Sequence, residues 1–459
     1  MKKFITMMLA VVLIAALALS ACNSGGGNTG GGGGGGSGDL VERGWQSDLA
    51  KDVITLGGVR SSTGANAYSE QTAFGPQYRM WVDLLNKDGG IYVKSLDRKV
   101  PIETQIYDDG SDITKTTQLF EQLLAQEKPD IIVGPVGSSA LFSCVPIAQK
   151  YDYLLLASEG GAKELEKYIP DNPNFFSILS YSETQVPALV KLFGELGVES
   201  VYCAYIDDLH GTEYWGATVP LLEAAGIEIL GSESVPLEGN FDADAVVNNA
   251  MRLNPDAFLC YTYPGGAVPI TLSSVKLGYN PNLFLTGPGA CYDFFGNIVF
   301  GDLTNESLDG MMGWGAWNEK SSAGAKEFYE FFRDYWTEEG YFWKNPDGTF
   351  NMSKGDDTVY VDWWGHICYY AVVEILQQAI ENAGQLNDDG RIDNLTLVEY
   401  IKNSTFKTYM NPELKFTNNI LTDDMYLGNI GQWQDGVFEV VDSDARRTAD
   451  PLYPKPAWK

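Results

Sequence analysis

Six short polar turns carry most of the chemistry available to this chain of 459 residues. They are Arg60-Ser61-Ser62-Thr63-Gly64, Gly134-Pro135-Val136-Gly137-Ser138-Ser139, Ser158-Glu159-Gly160-Gly161, Asp207-Asp208-Leu209-His210-Gly211, Tyr263-Pro264-Gly265-Gly266 and Thr286-Gly287-Pro288-Gly289. Glycine and serine in such turns let backbone amides face a small anionic or polar group, and a helix start adds partial positive charge. Groups that make and break bonds are scarce. His210 and His366 are the two histidines, and no HExxH, paired CxxC, GxSxG, GxGxxG or GxxxxGK[ST] pattern occurs. The Asn387-Asp388-Asp389-Gly390 turn lacks the bidentate acid that a calcium loop needs at its twelfth position. No catalytic group, metal or cofactor is expected, and the inventory favours binding over turnover.

The elements that must hold these turns are short β-branched runs alternating with longer amphipathic segments. Strands are predicted at 53–59, 100–107, 130–133, 153–157, 200–206, 227–232, 257–261 and 283–286. Helices are predicted at 70–87, 113–127, 183–196, 213–225 and 242–253, where Leu119, Leu123 and Leu124 form one apolar stripe in the second. This order is that of an α/β protein with parallel sheets. In such sheets a ligand sits outside the carboxyl ends of the strands, where the six turns fall.

The amino-terminal segment fixes the compartment. Lys2 and Lys3 precede an apolar run that ends in Leu19-Ser20-Ala21-Cys22, the layout of a secretory signal. It resembles a bacterial lipoprotein signal over 1–21, in which Cys22 is lipidated and becomes the mature N-terminus. The alternative is an uncleaved anchor, since 4–21 is just long enough to span a membrane. Residues 22–39 then form a Gly-rich leash with a span on the order of 20 to 25 Å. The protein is expected outside the cytoplasm, tethered to the bacterial membrane through its lipid. The formal charge is −30, or −32 once Lys2 and Lys3 leave with the signal. Such a field repels nucleic acid and membrane phosphates, so neither is an expected partner of the folded body. Cys144, Cys203, Cys260, Cys291 and Cys368 remain. An odd number without CxxC spacing does not form a disulfide framework, and Cys203 and Cys260 lie in apolar runs as core thiols. The remaining length of about 420 residues suits two lobes.

Several segments carry a family likeness: Ile54-Thr55-Leu56-Gly57-Gly58-Val59, Leu84-Leu85-Asn86-Lys87-Asp88-Gly89-Gly90-Ile91, Tyr107-Asp108-Asp109-Gly110-Ser111-Asp112, Ile132-Val133-Gly134-Pro135, and Tyr369-Tyr370-Ala371-Val372 followed by Ala383-Gly384. In this order they resemble a type I periplasmic binding protein of the leucine/isoleucine/valine-binding branch. The resemblance implies two Rossmann-like lobes with parallel sheets, joined by a three-crossover hinge, with a ligand between them. One lobe would hold 50–174 and 317–417, the other 175–316 and 418–459. The 334–360 segment is longer than its family counterpart, and Tyr335, Trp336, Tyr341, Phe342 and Trp343 make it a packed excursion.

The same resemblance implies site residues. Tyr68 matches an aromatic bordering the family's pocket, Ser138 the serine that receives a ligand carboxylate, and Tyr263 a pocket aromatic of the second lobe. Ser139, Glu159 and Gly160 flank these positions. Ser138 also suits a plain helix N-cap, and both tyrosines suit ordinary packing. Two departures stand out: Gly161 replaces a hydroxyl residue, and Gly289 falls where amino-acid binders carry the acid that neutralises an ammonium. A buried ammonium without a counter-charge is costly, so either Glu159 supplies the charge or the ligand lacks an amine. His210 stands near a family tyrosine, where it either donates to a ligand or sits in a solvated loop before a helix starting near Thr212. Trp314 and Trp317 lie near the second crossover as candidate cleft walls. The function implied is a monomeric solute-binding lipoprotein that delivers a small carboxylate-bearing metabolite, an amino acid or an aromatic or aliphatic acid, to an ABC permease. The alternatives are a ligand-sensing receptor subunit of the same fold and an extracellular enzyme.

Overall fold

The computed structural model describes residues 40–43, 52–160, 163–179, 182–237, 241–315, 317–422, 425, 430–442 and 446–459. The expected signal, Cys22, the leash to residue 39 and Gly161 lie outside the described residues. Strand Ile54–Arg60 is buried along nearly its whole length, as a strand covered on both faces must be. It pairs in parallel with Ile102–Asp108 on one side and Ile131–Ile132 on the other. Leu40–Arg43 adds antiparallel to Ile102–Asp108, giving a four-stranded sheet among the described residues. The second sheet runs in the order Glu228–Val235, Ser200–Ile206, Ala257–Tyr261, Leu283–Thr286, Met311–Trp314, Ile430–Gln434 and Val437–Val440. Its first five strands are parallel and its last two antiparallel. Leu155–Ala157 pairs in parallel with Phe175–Ser177.

All eight predicted strands occur, with two physical refinements. The run expected at 100–107 is cut at Pro101, which has no N–H to give a ladder. Arg98–Val100 pairs backwards onto Ile91–Val93, and a separate strand begins at Ile102. The antiparallel edge of the second sheet was not anticipated. It is closed by Asp435-Gly436, with φ of 49° and 76°, the paired left-handed values of a tight hairpin turn.

From residue 200 to 314 the chain builds the second sheet, and then the helices return to the first. Tyr335 of helix Ala323–Glu338 donates to Asp83 Oδ2 at 2.7 Å. Trp81 Nε1 donates to Gln377 Oε1 of helix His366–Ala383 at 3.0 Å. The chain goes back once more for the 430–440 hairpin. Trp314 is fully buried, stacked on Tyr261 at 5.5 Å and tilted against Tyr214 at 5.2 Å. Trp317 is buried too, its amide bonded to Trp363 O at 2.9 Å. Both are packing residues of the junction and neither lines the central cavity. The five described cysteines are free and buried.

The helix predicted at 70–87 has a defect with a traceable cause. A π turn, Glu70–Phe74, precedes the regular Gly75–Lys87 segment. Pro76 has no N–H to return to the carbonyl four residues back, which is that of Thr72. His366 Nε2 lies 2.9 Å from Thr72 O and satisfies it. That assigns the proton to Nε2, leaving Nδ1 to accept from Asp362 N at 3.4 Å. Burial pushes the His366 pKa down to about 3, so the ring stays neutral and works as a structural clamp.

Candidate ligand-binding cleft

The βα turns converge on one cavity between the two sheet-bearing halves. Its walls include Asn66 and Ser69 after the first turn, Val136, Gly137 and Ser138 from the second, and Glu159 from the third. His210, Tyr263 and Pro288 come from the turns of the second sheet. Phe74, Tyr292, Trp364 and Tyr369 complete an aromatic lining. The enclosed space is only about 20 Å³, room for about one water. The cleft is nearly shut in this conformation.

Ser138 opens helix Ser138–Lys150, and Gly137 before it holds φ of 91°, a value that a side chain would strain. Ser138 is 1% exposed. The Tyr263 hydroxyl from the opposite side reaches both its backbone and its side chain and donates to Asp208 Oδ2 at 3.1 Å. A phenol oxygen thus sits at the helix start. Ser139 does not line this cavity. Its Oγ accepts from Leu209 N at 3.2 Å, which ties the two halves together across the cleft.

His210 differs from the solvated loop residue that was one of the two readings. Helix Leu209–Ala225 starts four residues before the predicted 213, capped by Asp208 through Gly211 N at 2.9 Å. This draws His210 into the wall at 1% exposure, stacked on Tyr263 at 5.2 Å. Burial, partly opposed by a bond to the Gly287 backbone, pushes its pKa down to about 4. Nε2 has no partner, so the neutral ring offers an acceptor lone pair there.

Glu159 is the acid at the cavity, but it is already engaged. Arg60, 1% exposed, donates Nη1 to Glu159 Oε1 at 2.9 Å and Nη2 to Glu70 Oε2 at 2.6 Å. It also donates to Gly134 O, and Ser158 N donates to Glu159 Oε2 at 2.8 Å. Burial alone would lower the guanidinium pKa, but Glu70 and Glu159 together raise it above the usual arginine value. For Glu159, burial raises the pKa and Arg60 opposes the rise. Arg60 on Oε1 and Ser158 N on Oε2 give each carboxylate oxygen a donor before any ligand arrives, and the guanidinium already balances the charge an ammonium would need.

Gly289 and Gly160 hold no open space. A Cβ at Gly289 would come within 2.1 Å of Ala267 Cβ, and one at Gly160 within 2.6 Å of Leu165 Cδ1. Gly289 therefore brings helix Pro264–Leu277 close and leaves no room for an acid side chain. Tyr68 stands one layer back, edge-on to Tyr292 at 5.4 Å, with its hydroxyl buried and unpartnered.

Sequence reasoning missed Tyr292, Trp364 and Tyr369. Tyr292 and Trp364 arrive through a seam between the halves, where Asp293 N donates to Val361 O at 3.0 Å and Trp363 N to Cys291 O at 2.9 Å, and Tyr369 comes from helix His366–Ala383. The local signal was the Trp363-Trp364-Gly365 run just before a helix. In the sequence Arg60 stands only as the first residue of a polar turn. Its burial among acids follows from partners 10 and 99 residues away.

The chain matches the family described as periplasmic binding protein over residues 53–436. Among solved structures it is similar to a solute binding protein of an ABC transporter from Rhodopseudomonas palustris BisB5 in complex with 3,4-dihydroxybenzoic acid. The identity is 16% and the TM-score 0.65, covering 88% of this chain and 99% of the other. It is also similar to LivJ, the branched-chain amino acid transporter substrate binding protein of Streptococcus pneumoniae in complex with isoleucine. There the identity is 18% and the TM-score 0.65, covering 85% of this chain and all of the other. LivK, a leucine binding protein from Thermotoga maritima, gives 17% and 0.64 over 85% and 99%. The turns that converge on one cleft, the paired sheets and the match over most of the sequence make this chain a member of the periplasmic binding protein family, with the type I fold.

Proposed function

We propose that this protein is an extracytoplasmic solute-binding lipoprotein of an ABC importer that takes a small carboxylate-bearing metabolite into the cleft. The observation that carries this reading is Ser138, buried at a glycine-preceded helix start and facing an aromatic cavity whose one lining acid is engaged by Arg60. A helix N-terminus with a serine donor suits an anion. With Glu159 engaged and no room for an acid at Gly289, the balance favours an aromatic or aliphatic acid over an amino acid. The free lone pair of His210 Nε2 suits a hydroxyl on the ligand. The isoleucine complex of LivJ keeps amino acids in the test panel.

Lobes at 50–174 with 317–417, and 175–316 with 418–459, would part to admit ligand, and Tyr263 would leave Ser138 to the carboxylate. Ligand favours the closed form only through its higher affinity for that form. A ligand that binds the native state raises thermal stability with dose. A thermal-shift screen against amino acids, aromatic acids, aliphatic acids and the matching amides is expected to show a rise with acids and none with amides. A rise with amides equal to that with acids would refute the carboxylate reading. Ser138→Ala removes a hydrogen bond to a charged group, and a roughly 10- to 100-fold loss of affinity is expected at unchanged stability. Unaltered affinity would remove Ser138 from the site.

The membrane tether rests on the Leu19-Ser20-Ala21-Cys22 motif. Cys22→Ala is expected to move the protein from the membrane fraction to the soluble one in a cell fractionation. Full retention on the membrane would mean an uncleaved anchor instead.

A further inference from the structure

Two small voids adjoin the cleft, and they differ in character. On the side of the Ser138 helix start, Gly137 and Tyr263 stand between the cleft and a polar void lined by Ser61, Ser111, Thr116 and Asp208. On the other side lies an inner chamber of about 20 Å³, room for about one water. Tyr78, Val133, Val372 and Val373 are its apolar walls, and Gln77 and Ser158 add a polar edge. Arg60 and Glu159 also line it, already matched to each other at 2.9 Å. Every wall of the chamber falls within residues 60–159 or 369–373. These lie on one side of the proposed lobe division, so a parting of the lobes would not change its size.

Phe74, Glu159 and Tyr369 line both the cleft and the inner chamber. They are the partition between the two. Glu159 is fixed by Arg60 on one oxygen and by Ser158 N on the other. The Phe74 and Tyr369 rings close the rest, with centroids 4.1 Å apart and planes tilted by 40°. Tyr369 is backed by Gly365, where a Cβ would come within 2.2 Å of its ring, so the partition has no slack on that side. Phe74 is buried and packs on the Arg60 guanidinium, Cζ to centroid 5.4 Å. It is the last residue of the π turn Glu70–Phe74, whose Thr72 carbonyl His366 holds. Such turns concentrate at functional sites.

We infer that Phe74 is the residue that sets ligand length: its ring ends the space open to the body of a bound acid and shuts off the inner chamber. The inference rests on the reading of the cleft as a carboxylate site, with the acid group at Ser138 and the apolar body directed towards Phe74. Truncating Phe74 joins the chamber to the cleft, and each further methylene that finds buried space adds about fourfold to affinity. Calorimetric titration of the full chain and of Phe74→Ala with two series of acids, butanoate to octanoate and benzoate to 4-phenylbutanoate, reads the length limit directly. The ratio of affinities for the longest and the shortest acid of a series is expected to rise about tenfold or more in Phe74→Ala, the worth of about two methylenes. Phe74→Leu keeps a side chain over Arg60 and is expected to give a smaller rise in the same direction, which carries the test where Phe74→Ala does not fold. A ratio unchanged in the folded variants, in both series, would overturn the inference and leave the carboxylate reading standing. No binding of any acid by the parent or the variants would overturn the two together.

Discussion

Replacing Arg60 by Met is expected to cost about 3–5 kcal/mol of stability, because it strips the counter-charge from two buried acids. Glu70 and Glu159 both point at one guanidinium in the interior. Phe74 and Tyr78 pack against it, with ring centroids 5.4 and 5.9 Å from Cζ. Methionine keeps much of the volume, so the loss reports charge and hydrogen bonding more than packing. Adding Glu70→Gln and Glu159→Gln is expected to restore part of the loss, since buried pairs replaced as a set are far less damaging than pairs broken singly. Urea denaturation of the single and triple variants measures both effects. A single-variant loss below about 1 kcal/mol, the range of surface pairs, would mean that water already screens this cluster.

Asp362 is expected to set a pH dependence of the opposite sense from ordinary acid denaturation. It is fully buried in the seam, accepting from Trp364 N at 2.9 Å and Cys291 Sγ at 3.3 Å, with Oδ2 unpartnered. Burial pushes its pKa up to about 7, against the bonds that favour the anion. An unfolded aspartate releases its proton near pH 4. Between about pH 4 and 7 the native state holds the proton that the unfolded state has lost, so Asp362 removes stability as pH rises. The slope reaches at most about 1.4 kcal/mol per pH unit. Asp362→Asn abolishes this contribution. Its stability relative to the parent is expected to climb from pH 4 to pH 7 and then level off, as read from urea midpoints. Parallel pH profiles for the two proteins would show that Asp362 titrates normally.

The parts of this fold legible in the sequence are those set by local pattern. Strand Ile54–Arg60 is a β-branched run ending in a polar turn, and the parallel order of βα units follows from alternation. The antiparallel edge is encoded just as locally by Asp435-Gly436 between Ile430–Gln434 and Val437–Val440, a turn signal that the parallel βα order upstream does not predict. What local pattern does not carry is which turn residues turn inward. His210 became buried because Asp208, not a residue nearer Thr212, caps its helix. Glu159 lost its availability to Arg60, a partner 99 residues distant. Tyr292 and Trp364 reach the cavity through a seam between segments some 70 residues apart, and neither segment reads as a regular strand alone. The carboxylate role proposed for Ser138 rests on likeness to a family, whereas its burial beside Gly137 and Tyr263 is a matter of geometry.

The lobe closure implied by this cleft depends on contacts that ligand must replace. Tyr263 at Ser138 and Leu209 at Ser139 bridge the halves across the cleft. Under the proposed reading a ligand carboxylate would take the first of these and leave the second, which would give Ser139 to closure and Ser138 to recognition.

Calorimetric titration of the full chain and of its Ser138→Ala variant with one acid from the screen, alongside the amide of that acid, tests the central claim most directly. Saturable one-site binding of the acid, weakened at least about tenfold by Ser138→Ala and absent for the amide, is the predicted result. Equal binding of acid and amide, or an affinity indifferent to Ser138, would contradict a carboxylate held at this helix start.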